Sequence, residues 1–261
     1  MCLIFVALKQ HPDYPFIIAA NRDEFFERPS EALHHWDSGI LAGKDLTAGG
    51  TWMGFSMTER FAALTNYRDP SSTVDNPISR GQLVADFLQG EDSAEDYLKS
   101  VHLNRHRYDG FNLLVGGPDN LWYFSNKQEP TTHEQIATPL SSGIYGLSNH
   151  LLDTPWPKVS EGKQAFKTAI TQSGQTTETL VSNLFKVMSH QEQARDELLP
   201  DTGVGLEMER YLSPRFITTP FGRYGTRCST VLLCDKNGAA LMYEKTWNAS
   251  GQETDFVTLT N

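Results

Sequence analysis

The feature that most constrains the fold is a pair of apolar runs at the N-terminus. Residues 2–8 are apolar without interruption, and residues 16–20 form a second apolar run. Between them, residues 11–15 read His-Pro-Asp-Tyr-Pro, which is a turn-forming cluster. A strand that is apolar throughout is typical of burial on both faces, so the two runs predict a hairpin inside a layered core.

The rest of the chain predicts alternating sheet and helix segments. A Ser at 93 three residues before an Asp indicates a helix start. Two helical pairs separated by sheet segments favour an α+β fold of four layers, αββα, with the helices outside. We expect a single domain over residues 1–261. The predicted segments are strands within 39–66, helices at 79–88 and from 93, a hairpin at 111–124, two helices within 156–189 split near 173, a polar surface excursion at 191–220 and a hairpin at 225–246.

Charge and cysteine content narrow the functional classes. The net charge of −10 repels nucleic acid, so no nucleic-acid partner is expected. Three cysteines are too few for a disulfide framework and favour a reducing compartment. No apolar stretch is long enough to span a membrane and no leader pattern is visible, which predicts a cytoplasmic protein that is not transmembrane. No His-x-x-x-His, Cys-x-x-Cys or paired-carboxylate spacing appears, so no metal site is expected.

Cys2 is the first candidate for chemistry. Its side chain is small, so we expect removal of Met1, which leaves a thiol beside a free α-amine. An unperturbed α-amine has a pKa of about 7.7–8.0 and is partly unprotonated at neutral pH. One residue then carries a nucleophile and its base, which suits acyl transfer. The alternative is a small core residue at the start of a buried strand.

The polar segment Asn21-Arg22-Asp23-Glu24 follows the second apolar run. In an antiparallel hairpin the end of the second strand lies next to the start of the first, so these groups are expected near Cys2. Asp23 is then placed to bond the α-ammonium, and Arg22 to lower the pKa of the thiol. The alternative is an exposed charged turn.

Six short blocks extend the pattern over nearly the whole chain: Met-Cys at 1–2, Asn-Arg-Asp-Glu at 21–24, Gly-Gly-Thr-Trp at 49–52, Leu-Thr-Asn-Tyr-Arg at 64–68, Gly-Leu-Ser-Asn at 146–149 and Tyr-Gly-Thr-Arg at 224–227. In this order the blocks resemble the NRDE family, also called the Transport and Golgi organisation 2 family. The resemblance implies the αββα sandwich of N-terminal-nucleophile hydrolases, most similar to the cysteine-type amidases acting on penicillin V, bile-salt conjugates and N-acyl amines.

The resemblance also implies roles for particular residues. Cys2 matches the amidase nucleophile, Asp23 the carboxylate that holds the α-amine, and Asn149 the donor to the oxyanion. Asn66 is the candidate second donor, and Arg227 resembles a late-chain arginine near the thiol. The alternative is structural: asparagines often satisfy backbone groups at strand ends, and an arginine often pairs with a surface carboxylate.

The remaining pocket residues implied by the blocks are Asn21, Arg22, Glu24 and Trp52. The amidases carry an arginine a few residues before the aspartate, where this chain has Ala20. Arg22 is therefore not a positional match to the amidase arginine.

Three functions are open. Family members are implicated in haem mobilisation, so the resemblance implies an intracellular haem-binding and haem-trafficking protein. Its cargo would be haem or another small hydrophobic ligand, and its partners haem-receiving proteins. The candidate axial ligands are Cys2, His34, His35 and His150, and their spacing selects none of them.

The first alternative is a cysteine-type amidohydrolase that cleaves the C–N bond of linear amides with Cys2 as nucleophile. The second is an acyl-lipid-linked role in secretion and membrane organisation, with aromatic residues such as Trp52 lining an apolar cleft. Periodicity alone assigns those aromatic residues to the core.

Overall fold

The computed structural model describes residues 2–129, 136–172 and 174–261. The chain forms two compact units: the first comprises the chain up to Glu27, Ser142–Ser148 and Leu152–Thr260, and the second comprises Arg28–Ser141, Asn149–Leu151 and Asn261. The expectation of a single domain over 1–261 stays a prediction.

The helices are α1 (Gly81–Gln89), α2 (Ala94–Asn104), α3 (Pro157–Thr171), α4 (Thr177–Met188) and α5 (Leu206–Leu212). The strands are β1 (Cys2–Leu8), β2 (Phe16–Phe25), β3 (Ser30–His35), β4 (Ile40–Asp45), β5 (Met53–Ser56), β6 (Phe61–Asn66), β7 (Phe111–Gly116), β8 (Trp122–Ser125), β9 (Thr138–Pro139), β10 (Gly143–Leu147), β11 (Tyr224–Cys234), β12 (Ala240–Trp247) and β13 (Glu253–Thr260).

The first unit contains a six-stranded antiparallel sheet in the order β10-β1-β2-β11-β12-β13. Helices α3 and α4 cover one face of it, where alternate residues of β1 pack against them. The rings of Phe5 and Phe166, for example, stack with centroids 5.7 Å apart. Cys2 begins β1 on the opposite face, because neighbouring residues of a strand alternate between faces.

Strand β2 is longer than the sequence predicts. The Asn-Arg-Asp-Glu segment lies inside the strand and does not follow its end. The physical reason is pairing with β11, which continues from Phe16 opposite Cys234 to Phe25 opposite Tyr224. The four polar residues therefore alternate between the two faces of the sheet.

The second unit contains a seven-stranded sheet in the order β3-β4-β5-β6-β7-β8-β9, with α1 and α2 packed on one face. The predicted helix start is confirmed: Ser93 Oγ accepts a hydrogen bond from the Asp96 backbone N at 3.1 Å. The Gly-Gly block has a packing role here. The backbone of Gly50 approaches Gly81 so closely that a Cβ on Gly50 would overlap it.

One predicted segment is wrong. Residues 191–220 were expected to be a polar surface excursion, but they include α5, and Phe216 and Ile217 are buried. The predicted hairpins β7–β8 and β11–β12 are confirmed, as is the α+β class. Among the described residues, no helix has the length and apolar character needed to cross a membrane.

Candidate functional site

The candidate site lies at one end of the first unit's sheet, where three neighbouring strands bring Cys2, Arg22 and Cys228 into one row. In the register of the sheet, Cys2 is opposite Arg22 on β2, and Arg22 is opposite Cys228 on β11. Residues opposite each other in paired strands point to the same face. The thiol of Cys2 and the guanidinium group therefore share the face that α3 and α4 do not cover.

Cys2 itself is enclosed. It is 7% exposed, and its backbone carbonyl accepts a long hydrogen bond (3.4 Å) from Ser148 Oγ. Burial raises the pKa of the Cys2 thiol to about 11, Asp23 and Glu24 act in the same direction, and Arg22 opposes them. A buried thiol in this state is protonated at neutral pH and needs a base before it can act as a nucleophile.

Asp23 is the next residue along β2 and is also buried. Its Oδ1 accepts a hydrogen bond from Thr226 Oγ1 at 2.7 Å, and the Tyr224 hydroxyl donates to its backbone carbonyl at 3.1 Å. Two residues of the Tyr-Gly-Thr-Arg block thus hold the aspartate in place. Its charge acts on the Cys2 thiol, as expected for a carboxylate near the start of β1.

Arg227 is the extra residue of a β-bulge. Thr226 is opposite Asp23 and Cys228 is opposite Arg22, so Arg227 has no counterpart on β2. Its Nη1 donates to the Phe25 carbonyl at 2.9 Å. Burial lowers the pKa of Arg227, and the like charge of Arg22 lowers it further, so the two guanidinium groups are neighbours.

A second thiol and a buried carboxylate continue the row. Burial raises the pKa of the Cys228 thiol well above its usual value, and the charge of Glu244 raises it further. Cys228 shares a hydrogen bond with Glu244, whose Oε2 also accepts from Thr230 Oγ1 at 2.9 Å. Arg22 and Cys2 act on the same thiol. The charges of Arg22 and Glu244 therefore both act on the thiol of Cys228, which lies between them in the sheet.

Asn21 faces the other way. It is fully buried, and its Nδ2 donates to the carbonyls of Met188 at 2.9 Å and Arg215 at 2.7 Å. Its Oδ1 accepts from Ser229 Oγ at 2.6 Å. The side chain therefore joins β2 to the end of α4 and to the chain after α5. Glu24 is half-buried, and its Oε1 accepts from the Phe25 backbone N at 2.9 Å.

The two predicted oxyanion donors lie in the second unit. Asn149 is fully buried, and its Nδ2 donates to the Asn66 carbonyl at 3.0 Å. The Asn149 carbonyl accepts from the Arg68 backbone N at 2.7 Å. These contacts attach Asn149 to the chain at the end of β6. The oxyanion role stays a prediction.

The histidines considered as haem ligands also lie in the second unit. His150 Nε2 is 2.7 Å from the Tyr67 hydroxyl, and burial lowers the pKa of His150. His34 and His35 are consecutive on β3, so their side chains point to opposite faces. The ring of His34 lies 6.3 Å from that of Trp36.

Trp52 stands just before β5 in the same unit, where its carbonyl accepts from the Leu64 backbone N at 2.8 Å. Its assignment to a ligand pocket stays a prediction. In the part of the chain that the structure describes, no group of three His, Cys, Asp or Glu side chains is arranged to hold a metal ion.

Sequence reasoning missed Glu244 and Thr230. A signal was present, because Ala240 and Met242 share a face of β12 with Glu244, and a carboxylate that continues an apolar face needs a polar partner. That partner, Thr230, becomes visible only once β11 and β12 are aligned.

Fold and site together define the class as an N-terminal-nucleophile hydrolase fold with a cysteine at the start of its first strand. A mutant conjugated bile acid hydrolase from Clostridium perfringens superposes with a TM-score of 0.51 at 9% identity, covering 99% of this chain and 92% of that chain. At this identity the likeness shows the fold alone, and it confirms the predicted fold class.

The chain belongs to the Transport and Golgi organisation 2 family, whose model matches residues 1–249. The Transport and Golgi organization 2 homolog of Mus musculus is 37% identical over 94% of this chain and 92% of its own length. The homolog of Homo sapiens is 36% identical over the same shares. The resemblance drawn from the six blocks is confirmed.

Proposed function

We propose that this chain is a cysteine-type N-terminal-nucleophile hydrolase that cleaves the C–N bond of linear acyl amides after removal of Met1. The observation that carries the proposal is the row of Cys2, Arg22 and Cys228, with the buried carboxylate of Asp23 one residue along β2. A thiol with a neighbouring cation and a fixed carboxylate suits acyl transfer by an N-terminal cysteine, because the cation favours the thiolate and the carboxylate can orient the α-amine that acts as base.

Removal of Met1 is the activating step in this proposal. With a thiol pKa of about 11, roughly one Cys2 side chain in ten thousand is ionised at pH 7. While Met1 is attached, the nitrogen of Cys2 is an amide and accepts no proton. Its removal creates an α-amine next to the thiol, and in this proposal the carboxylate of Asp23 orients that amine.

In the proposed reaction, Cys2 supplies both the nucleophile and the base. Its sulfur adds to the substrate carbonyl carbon while the thiol proton passes to the α-amine. The amine returns this proton to the leaving nitrogen, the C–N bond breaks, and a thioester on Cys2 remains. Water hydrolyses the thioester, which releases the carboxylic acid and restores the thiol.

The test compares one protein before and after N-terminal processing. The chain is expressed behind a fusion domain whose cleavage leaves Cys2 as the first residue, and is offered N-acyl amino acids, acyl-lipid amides and a bile acid conjugate. Amine release and an acyl adduct in the intact mass are expected after cleavage. Neither is expected from the uncleaved fusion or from Cys2→Ala, whereas Cys234→Ser serves as a matched buried-thiol control that keeps activity. A cleaved wild type that gives no more product or adduct than Cys2→Ala would refute the proposal.

Haem handling is the second candidate, and the same row favours it. A cysteine thiolate can ligate haem iron, and the adjacent guanidinium groups of Arg22 and Arg227 suit the carboxylate side chains of haem. Haem titration should give a Soret band that shifts in Cys2→Ala, with His150→Ala as the comparison, and the bound haem should pass to an apo-acceptor. Absence of both the band and the transfer excludes this function. The role in secretion and membrane organisation stays a prediction.

A further inference from the structure

Glu244 is a buried carboxylate on the same face of the first unit's sheet as Cys2. It is 3% exposed. Its position on β12 is opposite Thr230 on β11, two residues along from the Cys228 position that belongs to the row of Cys2 and Arg22. Residues two apart on a strand share a face, so Glu244 points to the side of the sheet that carries the Cys2 row.

Two donors hold this carboxylate. Thr230 Oγ1 donates to Glu244 Oε2 at 2.9 Å, and Cys228 shares a hydrogen bond with the same side chain. Cys228 stands directly opposite Arg22, which stands directly opposite Cys2. The register of the sheet therefore places Glu244, Cys228, Arg22 and Cys2 on one face, on four neighbouring strands from β12 to β1.

The buried carboxylate of Glu244 needs a compensating cation on the same face of the sheet. A buried carboxylate or guanidinium group is tolerated in a protein when an opposite charge compensates it. On the face that carries Cys2, the charged residues of the neighbouring strands are Arg22 and Glu24 on β2 and Arg227 at the bulge of β11. Arg22 is the most buried of the three, so it is the cation that a fully enclosed Glu244 suits.

We propose that Glu244 is a positioning residue whose carboxylate, fixed by Thr230 and Cys228, holds the Arg22 guanidinium group beside Cys2. It touches neither substrate nor the reacting atoms. This inference deepens the proposed hydrolase function and rests on it, because it concerns the cation that favours ionisation of the nucleophile.

We expect the Cys2 thiol to react more slowly when the carboxylate of Glu244 is neutralised. Glu244→Gln keeps an oxygen for Thr230 but loses the charge, so Arg22 is no longer held and the pKa of the Cys2 thiol rises. Below the pKa, the thiolate fraction falls about tenfold for each unit by which the pKa is raised. The higher nucleophilicity of the more basic thiolate offsets part of this, so the rate falls about three- to fourfold. Glu244→Asp keeps the charge and should recover part of the rate.

The experiment measures alkylation of Cys2 by iodoacetamide between pH 7 and 9 in the processed chain, with each cysteine followed by peptide mass spectrometry. Glu244→Gln is expected to slow alkylation of Cys2 about three- to fourfold, the effect of one pKa unit. Arg22→Met should do the same, and the double variant should be no slower than Arg22→Met alone, because both changes remove one interaction. Glu209→Gln is the matched control, since Glu209 is an equally buried glutamate bonded to Thr202.

The outcomes separate this inference from the function on which it rests. If Cys2 of the wild type reacts no faster than the buried Cys234, the proposed nucleophile is wrong. If the wild type is fast and Glu244→Gln matches it, or the two single effects multiply in the double variant, the positioning role is wrong. Should Glu244→Gln not fold, Thr230→Val removes one donor to the carboxylate and is expected to slow Cys2 in the same direction by less, and an unchanged rate there refutes the role as well.

Discussion

Replacing Asn21 by alanine removes a buried amide that joins β2 to two other segments of the first unit. The carbonyls of Met188 and Arg215 lose their donor, and the hydroxyl of Ser229 loses its acceptor. A buried polar group left unsatisfied costs about 1–3 kcal/mol. The Ser229 hydroxyl also accepts from Trp247 Nε1 at 3.0 Å and keeps that partner. The loss summed over the two carbonyls and the hydroxyl is therefore in the lower part of its range, at about 3–6 kcal/mol. In a chain of this size, that lowers the melting temperature by roughly 6–24 °C.

Thermal unfolding followed by circular dichroism and the urea midpoint measure this loss. Asn237→Ala, in the exposed turn between β11 and β12, is the matched control and should stay within about 0.5 kcal/mol of wild type. At temperatures where Asn21→Ala is folded, alkylation of Cys2 should proceed at the wild-type rate, because the amide faces away from the thiol. A variant with wild-type stability and a slow Cys2 would refute this reasoning, since it would place the amide in the site.

Three further results are expected. The pKa of the Cys2 thiol is raised to about 11 from an ordinary 9.0, so between these pH values the folded chain keeps a proton that the unfolded chain releases. The resulting stabilisation is complete below pH 9 and is lost as the pH rises toward 11. Urea midpoints should therefore fall over that range, and less steeply in Cys2→Ala. Gly162→Ala should destabilise the chain by about 1–3 kcal/mol in urea, although alanine favours helices, because the added Cβ would overlap the ring of Phe5; a stabilised variant would contradict this. Ser93→Ala should cost about 1 kcal/mol by loss of the cap to Asp96, and an unchanged midpoint would show that α2 does not need it.

Local patterns predicted those parts of the fold whose hydrogen-bonding partners are near in sequence. The strands β1 and β7, the β11–β12 hairpin and the capped start of α2 all follow from apolar runs, turns and capping residues. Strand β10 was missed because its Gly-containing sequence has the pattern of a loop, and it becomes a strand only by pairing with β1, far away in the chain. The extension of β2 was missed for the same reason, since its partner is β11.

The same distinction between near and distant strand partners applies to the candidate site. The position of Arg22 opposite Cys2 follows from the hairpin alone, because the second strand returns to the start of the first. The contribution of Glu244 does not, because it depends on two more strand pairings, β2 with β11 and β11 with β12. The opposite direction of the Asn21 side chain also depends on those pairings, since only a continuous strand makes neighbouring polar residues alternate between faces.

The bulge at Arg227 determines which residue of β11 lies opposite Asp23. In regular pairing, with Cys228 opposite Arg22, the residue opposite Asp23 would be Arg227, and a guanidinium group would neutralise the aspartate. The extra residue places Thr226 there, whose hydroxyl holds Asp23 through a neutral hydrogen bond at 2.7 Å. Asp23 is therefore bonded to a hydroxyl and is not paired with a guanidinium group of β11; in the proposed mechanism its partner is the α-ammonium that processing would create at Cys2. Arg227, displaced from the pairing, adds its charge beside Arg22. A single inserted residue thus separates the carboxylate from the late-chain arginine.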